Sequence, residues 1–180
     1  MTRAFVAVVP PAEVLDAIDA LGRPPVPGAR WSTRAQWHVT LQFLGNRADV
    51  EAVTVALGAL SVGGGPVCLG GAGAFPSERR GRVLWVGARE GGPLLVQLSA
   101  AVGALLRPLG HDPEAREYHP HVTLARCKTP TDLREVVAGL ADGPVGPAWD
   151  VRDVVLFESR TRREGAEYLE RARFGLGPEA

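Results

Sequence analysis

The sequence predicts an α+β fold of two pseudo-symmetric lobes, each a small, mostly antiparallel sheet with helices outside, and a cleft between them. Strand-like and helical patterns alternate along the 180 residues, which is typical of this class. One tetrapeptide, His38-Val39-Thr40-Leu41, also recurs 83 residues later as His121-Val122-Thr123-Leu124. Because similar elements surround both copies, the repeat predicts two related halves within one domain that spans residues 1–180.

In the first half, each element is indicated by its own pattern. The apolar run Ala4–Val9 predicts a buried strand, and Pro11–Leu21 carries apolar residues at helical spacing and is followed by a glycine. Proline and glycine predict a loop over Arg23–Arg30. Alternation predicts a strand over Trp37–Leu44, and helical spacing predicts a second helix over Val50–Leu60.

The rest of the chain repeats this order. Strands are predicted over Val67–Ala74 and Arg82–Gly87, and the longest helix over Leu94–Leu109. The remaining elements are a strand, a helix that begins at Thr131, and two further strands: Tyr118–Arg126, Thr131–Leu140, Asp150–Phe157 and Ala166–Phe174. The internal repeat therefore covers approximately residues 4–87 and 82–174, which share one strand.

The charge balance argues against a protein that coats nucleic acid by bulk electrostatics. The chain has 20 Lys and Arg, 20 Asp and Glu, and a pI of about 6.9, whereas such proteins usually need a basic face. A small site for one phosphate or one RNA end remains compatible with this balance.

The sequence gives no signal for secretion or for a membrane. Cys68 and Cys127 are too few for a disulfide framework, and no apolar run approaches the roughly 20 residues that span a bilayer. No signal peptide precedes the first strand. We therefore expect a cytoplasmic monomer with no membrane association and no obligate protein partner.

Alternation along the repeated strands sorts their side chains onto two faces, because residues i and i+2 share a face. In the first copy, the expected core side is Val39, Leu41 and Phe43, and the outward side is His38, Thr40 and Gln42. In the second copy, His121 and Thr123 point outward in the same way. If the two copies face one cleft, two imidazoles and two hydroxyls meet there.

That set of groups suits acid–base chemistry on a cyclic phosphate. With a pKa of about 6.5, one imidazole can accept a proton from water while the other donates one to the leaving oxygen, and each transfer is typically worth about 10²–10⁴-fold in rate. Thr40, Thr123 and Arg126 can bind the phosphate oxygens. Under strict alternation, the side chain of Arg126 would point away from the face of Thr123. We therefore expect a bulge or a strand end to turn Arg126 toward that face. The chemistry requires no metal or other cofactor.

Five segments spread along the chain resemble one family. They are Arg3–Ala7, Trp31 with Trp37–Gly45, Phe75-Pro76 with Arg82–Gly87, Pro120–Arg126, and Leu156–Ser159 with Gly165–Tyr168. The two His-x-Thr motifs resemble those of the 2H phosphoesterase superfamily. In their context they are most similar to its RNA 2',3'-cyclic phosphodiesterase branch, also called the 2'-5' RNA ligase family.

The resemblance implies hydrolysis of a 2',3'-cyclic phosphate RNA end to a 2'-phosphate, with His38 as proton donor and His121 as proton acceptor. It also implies a reverse 2'-5' ligation. The expected partner is an RNA end or a small cyclic nucleotide, and Tyr118 and Phe5 are candidates for stacking on its base. The alternatives are another 2H activity, on 2'-5' oligoadenylate or ADP-ribose cyclic phosphate, and a nucleotide-binding module without turnover. The symmetry of the sequence does not itself distinguish acid from base.

Overall fold

Antiparallel strands form a single sheet through the whole protein. The computed structural model describes residues 2–140, 143–162 and 165–178. Within these ranges the strands are β1 Thr2–Val8, β2 Ala29–Trp31, β3 Val39–Ala48, β4 Gly65–Phe75, β5 Gly81–Glu90, β6 His121–Thr131, β7 Pro144–Val151, β8 Asp153–Arg162 and β9 Gly165–Gly175. Their order is β7-β4-β5-β6-β3-β1-β8-β9, and the short β2 pairs with β6.

A pseudo-twofold relation runs through the middle of this sheet. Strands β3 and β6 meet there and pair at Val39 and Val122, which are equivalent positions of the repeated tetrapeptide. Strands β1, β8 and β9 follow on the β3 side, and β5, β4 and β7 on the β6 side. The predicted α+β fold with two related antiparallel lobes is therefore confirmed, with their sheets joined into one.

The two lobes exchange strands between the halves of the chain. Strand β8, from the C-terminal half, pairs with β1, whereas β5, from the N-terminal half, pairs with β6. Each lobe's sheet therefore contains strands from both halves of the sequence. The limits of the sequence repeat, residues 4–87 and 82–174, stay a prediction.

Helices and the buried face of the sheet together form the core. The helices of the described chain are α1 Ala12–Asp19, α2 Val50–Leu57, α3 Gly92–Leu106 and α4 Arg134–Leu140. Their apolar side chains, among them Ile18, Leu57 and Leu98, are buried in one cluster with Val39 and Val122 of the central strands. The helices thus cover one face of the sheet and leave the opposite face of β3 and β6 open.

Helix α3 and the turn that follows it form the longest apolar segment. By length and composition, Gly92–Leu109 is apolar enough to cross a membrane, although no such apolar run was expected. Its side chains Leu95, Leu98, Val102 and Leu106 are fully buried in the protein core. The segment therefore includes a core helix that packs against β3 and β4.

Contacts distant in sequence determine two boundaries that the local pattern misplaced. The predicted loop Arg23–Arg30 runs into a strand, because Ala29–Trp31 pairs with β6. Thr131 ends β6 instead of beginning the helix, and the side chain of Asp132 accepts the backbone N–H of Arg134 at 3.2 Å. Thr131 pairs with Gly81 of β5, so β6 is longer than predicted, and β2 pairs alongside it.

The predicted strand Asp150–Phe157 is divided into β7 and β8 at Arg152. Strand β7 contains Pro144 and Pro147, which obscure the alternation expected of a strand. It lies at the edge of the sheet, where proline is tolerated because no neighbour needs the missing N–H.

Candidate active site

A β-bulge follows the second His-x-Thr motif. Neighbouring residues of β5 pair with Thr123 and Ala125 of β6, so Leu124 is an extra residue in β6. Leu124 and Ala125 are consequently both buried, and Arg126 returns to the face of Thr123 and is exposed there. The bulge that we expected to turn Arg126 toward the face of Thr123 is thus present.

Strand β3 carries the same bulge at the equivalent position. Thr40 and Gln42 pair with neighbouring residues of β1, which makes Leu41 the extra residue, and the hydroxyl of Ser99 donates to the Leu41 carbonyl at 2.7 Å. Gln42 is 6% exposed and Phe43 is 46% exposed. The expectation that Gln42 faces outward and Phe43 faces the core is therefore wrong, because the bulge reverses the alternation.

The two motifs lie together on the face of the sheet that the helices leave open. Val39 and Val122 pair with their side chains buried. Four half-buried side chains flank that pair: His38, Thr40, His121 and Thr123. The positive charge of Arg126 acts on both histidines, and the charge of His121 acts on His38. The structure therefore gathers the five residues expected to act on a phosphate.

Backbone carbonyls hold the two motif histidines in the same way. His38 donates from Nδ1 to the carbonyl of Gln36 at 2.7 Å, and His121 donates from Nδ1 to the carbonyl of His119 at 2.6 Å. Because a carbonyl only accepts, each Nδ1 carries the proton of its bond. Each Nε2 is then an acceptor in the neutral ring, and that of His38 lies 3.0 Å from the hydroxyl of Thr40.

Aromatic rings surround both imidazoles. The ring of Phe5 stacks on His38 with 4.6 Å between centroids, and Tyr168 meets the same imidazole edge-on at 5.2 Å. On the other side of the pseudo-twofold, Phe75 meets His121 edge-on at 5.0 Å. These rings keep water away from the imidazoles and make the protonated forms costly.

Burial lowers the pKa of both histidines. It lowers the pKa of His38 from an ordinary 6.5 to about 4; the bond to Gln36 opposes this change, and the charges of His121 and Arg126 add to it. Burial is also the main cause that lowers the pKa of His121, and Arg126 again adds to it. Both rings are therefore mainly neutral at pH 7 in the free protein, each with an Nε2 lone pair.

The two candidates for base stacking occupy different places. Phe5 is only 2% exposed and is enclosed by the rings of His38 and Tyr168. The expectation that Phe5 stacks on a base is therefore wrong, since a base cannot reach it, and Phe5 supports His38 instead. Tyr118 is half-buried beside the motifs, and its hydroxyl donates to the carbonyl of Thr40 at 2.8 Å. Burial raises the pKa of the Tyr118 hydroxyl, which stays protonated for this bond.

Gln36 is a site residue that the motifs did not reveal. Its carbonyl holds His38, and its side chain donates to the carbonyl of Ala166 in β9 at 2.8 Å. It therefore ties His38 to the hairpin of β8 and β9. The repeat contained the signal, because Gln36 stands 83 residues before His119, whose carbonyl holds His121.

Metal-ligating side chains do not gather in the described ranges. Residues 2–140, 143–162 and 165–178 contain no group of three or more His, Cys, Asp or Glu that could hold a metal ion. Cys68 and Cys127 are buried free thiols. The site itself offers two imidazoles, two hydroxyls and one guanidinium, which is a set suited to proton transfer on a bound anion.

Paired His-x-Thr motifs that meet on one face across a pseudo-twofold, with an arginine beside them, define a 2H phosphoesterase. The family described as the 2'-5' RNA ligase superfamily matches this chain over residues 10–163. The chain belongs to the 2'-5' RNA ligase superfamily, as the sequence resemblance predicted.

Relatives of known name are similar over most of the chain. The RNA 2',3'-cyclic phosphodiesterase of Aeropyrum pernix is 35% identical over 137 residues, which cover 73% of this chain and 77% of the relative. The RNA 2',3'-cyclic phosphodiesterase of Escherichia coli is 30% identical over 181 residues, which cover 97% of this chain and 96% of the relative. The similarity is thus not confined to the two motifs.

Solved structures share the whole architecture. E. coli LigT complexed with 3'-AMP has a TM-score of 0.76 and 26% identity, and the match covers 97% of this chain and 98% of LigT. TT0787 of Thermus thermophilus has a TM-score of 0.78 and 28% identity, and the match covers 99% of this chain and all of TT0787 (100%). Both matches include both lobes and therefore the cleft between them.

Proposed function

We propose that the protein hydrolyses the 2',3'-cyclic phosphate end of RNA to a 2'-phosphate. The observation that carries the proposal is the matched pair of imidazoles. His38 and His121 each give Nδ1 to a carbonyl and keep Nε2 for a substrate, on either side of the Val39–Val122 pair. The relatives named RNA 2',3'-cyclic phosphodiesterase support the same reaction.

In this reaction, water attacks phosphorus in line with the bond to the ribose 3'-oxygen. His121 is the proposed base, and its Nε2 accepts a proton from the water as the new P–O bond forms. His38 is the proposed acid, and its Nε2–H gives a proton to the 3'-oxygen as the old bond breaks. The products are a 2'-phosphate and a 3'-hydroxyl, and proton exchange with solvent restores both imidazoles.

The acid role requires that His38 be protonated when substrate is bound. Its pKa of about 4 keeps the ring neutral at pH 7 in the free site. A bound phosphate places a negative charge beside the ring and favours the imidazolium form. We therefore propose that the substrate itself raises this pKa and gives His38 its proton, so that the acid forms only in the complex.

Arg126, Thr40 and Thr123 are proposed to bind the non-bridging phosphate oxygens. A guanidinium makes charge-assisted bonds to phosphate, and the field of Arg126 already acts on both imidazoles. In the free site the hydroxyl of Thr40 bonds to Nε2 of His38. Substrate binding therefore redirects this hydroxyl toward a phosphate oxygen and releases Nε2 for proton transfer.

The proposed substrate is an RNA end or a small 2',3'-cyclic nucleotide, in keeping with the LigT structure that holds 3'-AMP. The reverse reaction would join RNA ends through a 2'-5' linkage. The buried free thiols of Cys68 and Cys127 fit a reducing cytoplasm. One chain supplies every group in the proposed mechanism, so we propose a monomer that needs no cofactor.

Incubation of the protein with 2',3'-cyclic AMP and EDTA, followed by phosphorus NMR of the product, tests the proposal. We expect 2'-AMP as the product, with no loss of rate on adding EDTA. The variant with both His38→Ala and His121→Ala is the control for contaminating activity. Formation of 3'-AMP, loss of turnover in EDTA, or binding without turnover would each contradict the proposed reaction.

A further inference from the structure

Arg30 lies beside Arg126 on the open face of the sheet. Strand β2 pairs with β6 so that Arg30 stands directly opposite Arg126. Side chains in opposite positions of two antiparallel strands lie on the same face, with about 4.5–5.5 Å between their Cβ atoms. Both residues are exposed. The second motif supplies one guanidinium, and the pairing of the strands adds another next to it.

The protein does not neutralise these two charges. Among the residues that the structure describes, neither Arg30 nor Arg126 forms an ion pair. Arginines elsewhere on the surface, such as Arg160 and Arg173, are paired with Glu or Asp. Because like charges in opposite positions of a sheet repel each other, an anion that contacts both guanidiniums relieves this repulsion.

The guanidinium of Arg30 reaches from β2 to the beginning of β9. A side chain at Gly165 would collide with Nη2 of Arg30, so the guanidinium lies against the backbone there. The next residue, Ala166, accepts the side-chain N–H of Gln36, whose own carbonyl holds His38. Arg30 therefore lies at the rim of the site, on the edge of β6 that also meets β3.

Charge distinguishes the two ends of the site. Beyond its motif, β6 carries Arg126 and then Lys128, which is also exposed. Strand β3 runs in the opposite direction beyond its own motif, toward a cavity that is lined by Glu114, Arg116 and Glu117. The side chains of that cavity sum to one negative charge. An anionic strand is therefore attracted to the Arg126 end and repelled from the other.

An RNA end carries a second charge one nucleotide away from its terminal phosphate. In the proposed reaction the terminal phosphate lies between the two histidines, and Arg126 binds its oxygens. The phosphodiester that joins the last nucleotide to the one before it then needs a cation beyond Arg126. Across the strand pair, Arg30 is in that position. A mononucleotide has no phosphodiester and gains nothing from this cation.

We propose that Arg30 is a specificity-determining residue that binds the phosphodiester preceding the terminal nucleotide, so that the site prefers the end of an RNA strand to a mononucleotide. The inference rests on the proposed function for the position of the terminal phosphate, but it concerns the strand rather than the reacting bond. A guanidinium makes charge-assisted bonds to phosphate oxygens. Contacts to phosphates carry no base information, so the preference is independent of the preceding base.

Two product analogues test the inference, because they differ in this phosphodiester. They are 2'-AMP and the dinucleotide ApA with a terminal 2'-phosphate, and their binding to the full chain is measured by calorimetry at several salt concentrations. In a single strand, each phosphate contact contributes about 0.7 to the slope of log affinity against log salt concentration. One contact is therefore worth about 5-fold in affinity at 0.1 M salt relative to 1 M salt.

Arg30→Ala is expected to lower the ratio of the dinucleotide affinity to the 2'-AMP affinity by about 5-fold at 0.1 M salt. The salt slope of the dinucleotide should become shallower by about 0.7. Arg30→Lys keeps the charge and should keep most of that slope. Arg152→Ala, which removes the same charge from an exposed position between β7 and β8, is the control and leaves the ratio unchanged. Circular dichroism verifies that each variant is folded.

Equal losses for the two ligands in Arg30→Ala, no loss for either, or a wild type without preference for the dinucleotide would overturn the inference. Turnover of the 2',3'-cyclic forms of ApA and AMP is a separate measurement. If the wild type binds the dinucleotide through Arg30 but hydrolyses neither cyclic form, the proposed function fails and this subsite stands. If the wild type hydrolyses both and Arg30→Ala keeps the ratio of their kcat/KM values, the subsite fails and the proposed function stands.

Discussion

Acidification should destabilise this protein through His38. The pKa of His38 is about 4 in the folded protein, against 6.5 for a solvated imidazole. Between these values the unfolded chain binds a proton that the folded protein does not, so stability falls as pH falls through this window and levels off below it. The full difference corresponds to about 3 kcal/mol, of which about 2 kcal/mol is lost between pH 7.5 and pH 5.

Urea unfolding of the wild type and of His38→Gln at pH 7.5 and pH 5 measures this contribution. Glutamine does not titrate, so the variant should lose about 2 kcal/mol less stability than the wild type over this interval. The contribution of every other titrating group cancels to first order in the comparison. Equal losses in the two proteins would show that burial does not lower the pKa of His38. That result would refute the prediction of a neutral His38 imidazole in the free site.

Three further substitutions test the site and its support. Arg126→Ala should lower kcat/KM for 2',3'-cyclic AMP by about 10²–10³-fold, and Arg126→Lys should restore part of it; an unchanged rate would remove Arg126 from phosphate binding. His121→Asn should lower kcat/KM by about 10²–10⁴-fold with an unaltered circular dichroism spectrum, and near-full activity would contradict its role as base. Gly73→Ala would place a Cβ 2.3 Å from the ring of Trp85, and thermal unfolding should show a loss of about 1–3 kcal/mol. The control Gly139→Ala, in helix α4 with open space around it, should gain stability instead.

Much of the fold and site could be predicted from the sequence because the repeat carries long-range information. The offset of 83 residues aligns the two motifs. In the structure, the equivalent residues Val39 and Val122 pair with each other in neighbouring strands. The failure of alternation at Arg126 was itself informative, since it called for the bulge that the structure contains. Because a regular strand cannot place Arg126 on the same face as Thr123, the sequence predicted an irregular strand there.

The equivalent bulge in β3 was not predicted, because the sequence from Val39 to Phe43 alternates without a break. The bulge turns Gln42 inward, and there the carbonyl of His111, which is distant in sequence, accepts its side-chain N–H. Strand β2 and the proline-containing β7 were missed for the same reason, as each is stabilised by a neighbouring strand rather than by its own pattern. The local spacing of apolar residues does not reveal which distant strand or carbonyl a segment will contact.

In the proposed reaction, two imidazoles act on one phosphorus atom. A crystal structure of the protein with 2'-AMP, or with a nucleoside vanadate that mimics the five-coordinate phosphorus, tests it most directly. We predict Nε2 of His38 and Nε2 of His121 within about 2.6–3.2 Å of two different oxygens on the same phosphorus or vanadium atom. A structure in which only one imidazole reaches that group, or in which the group binds away from both, would contradict the account.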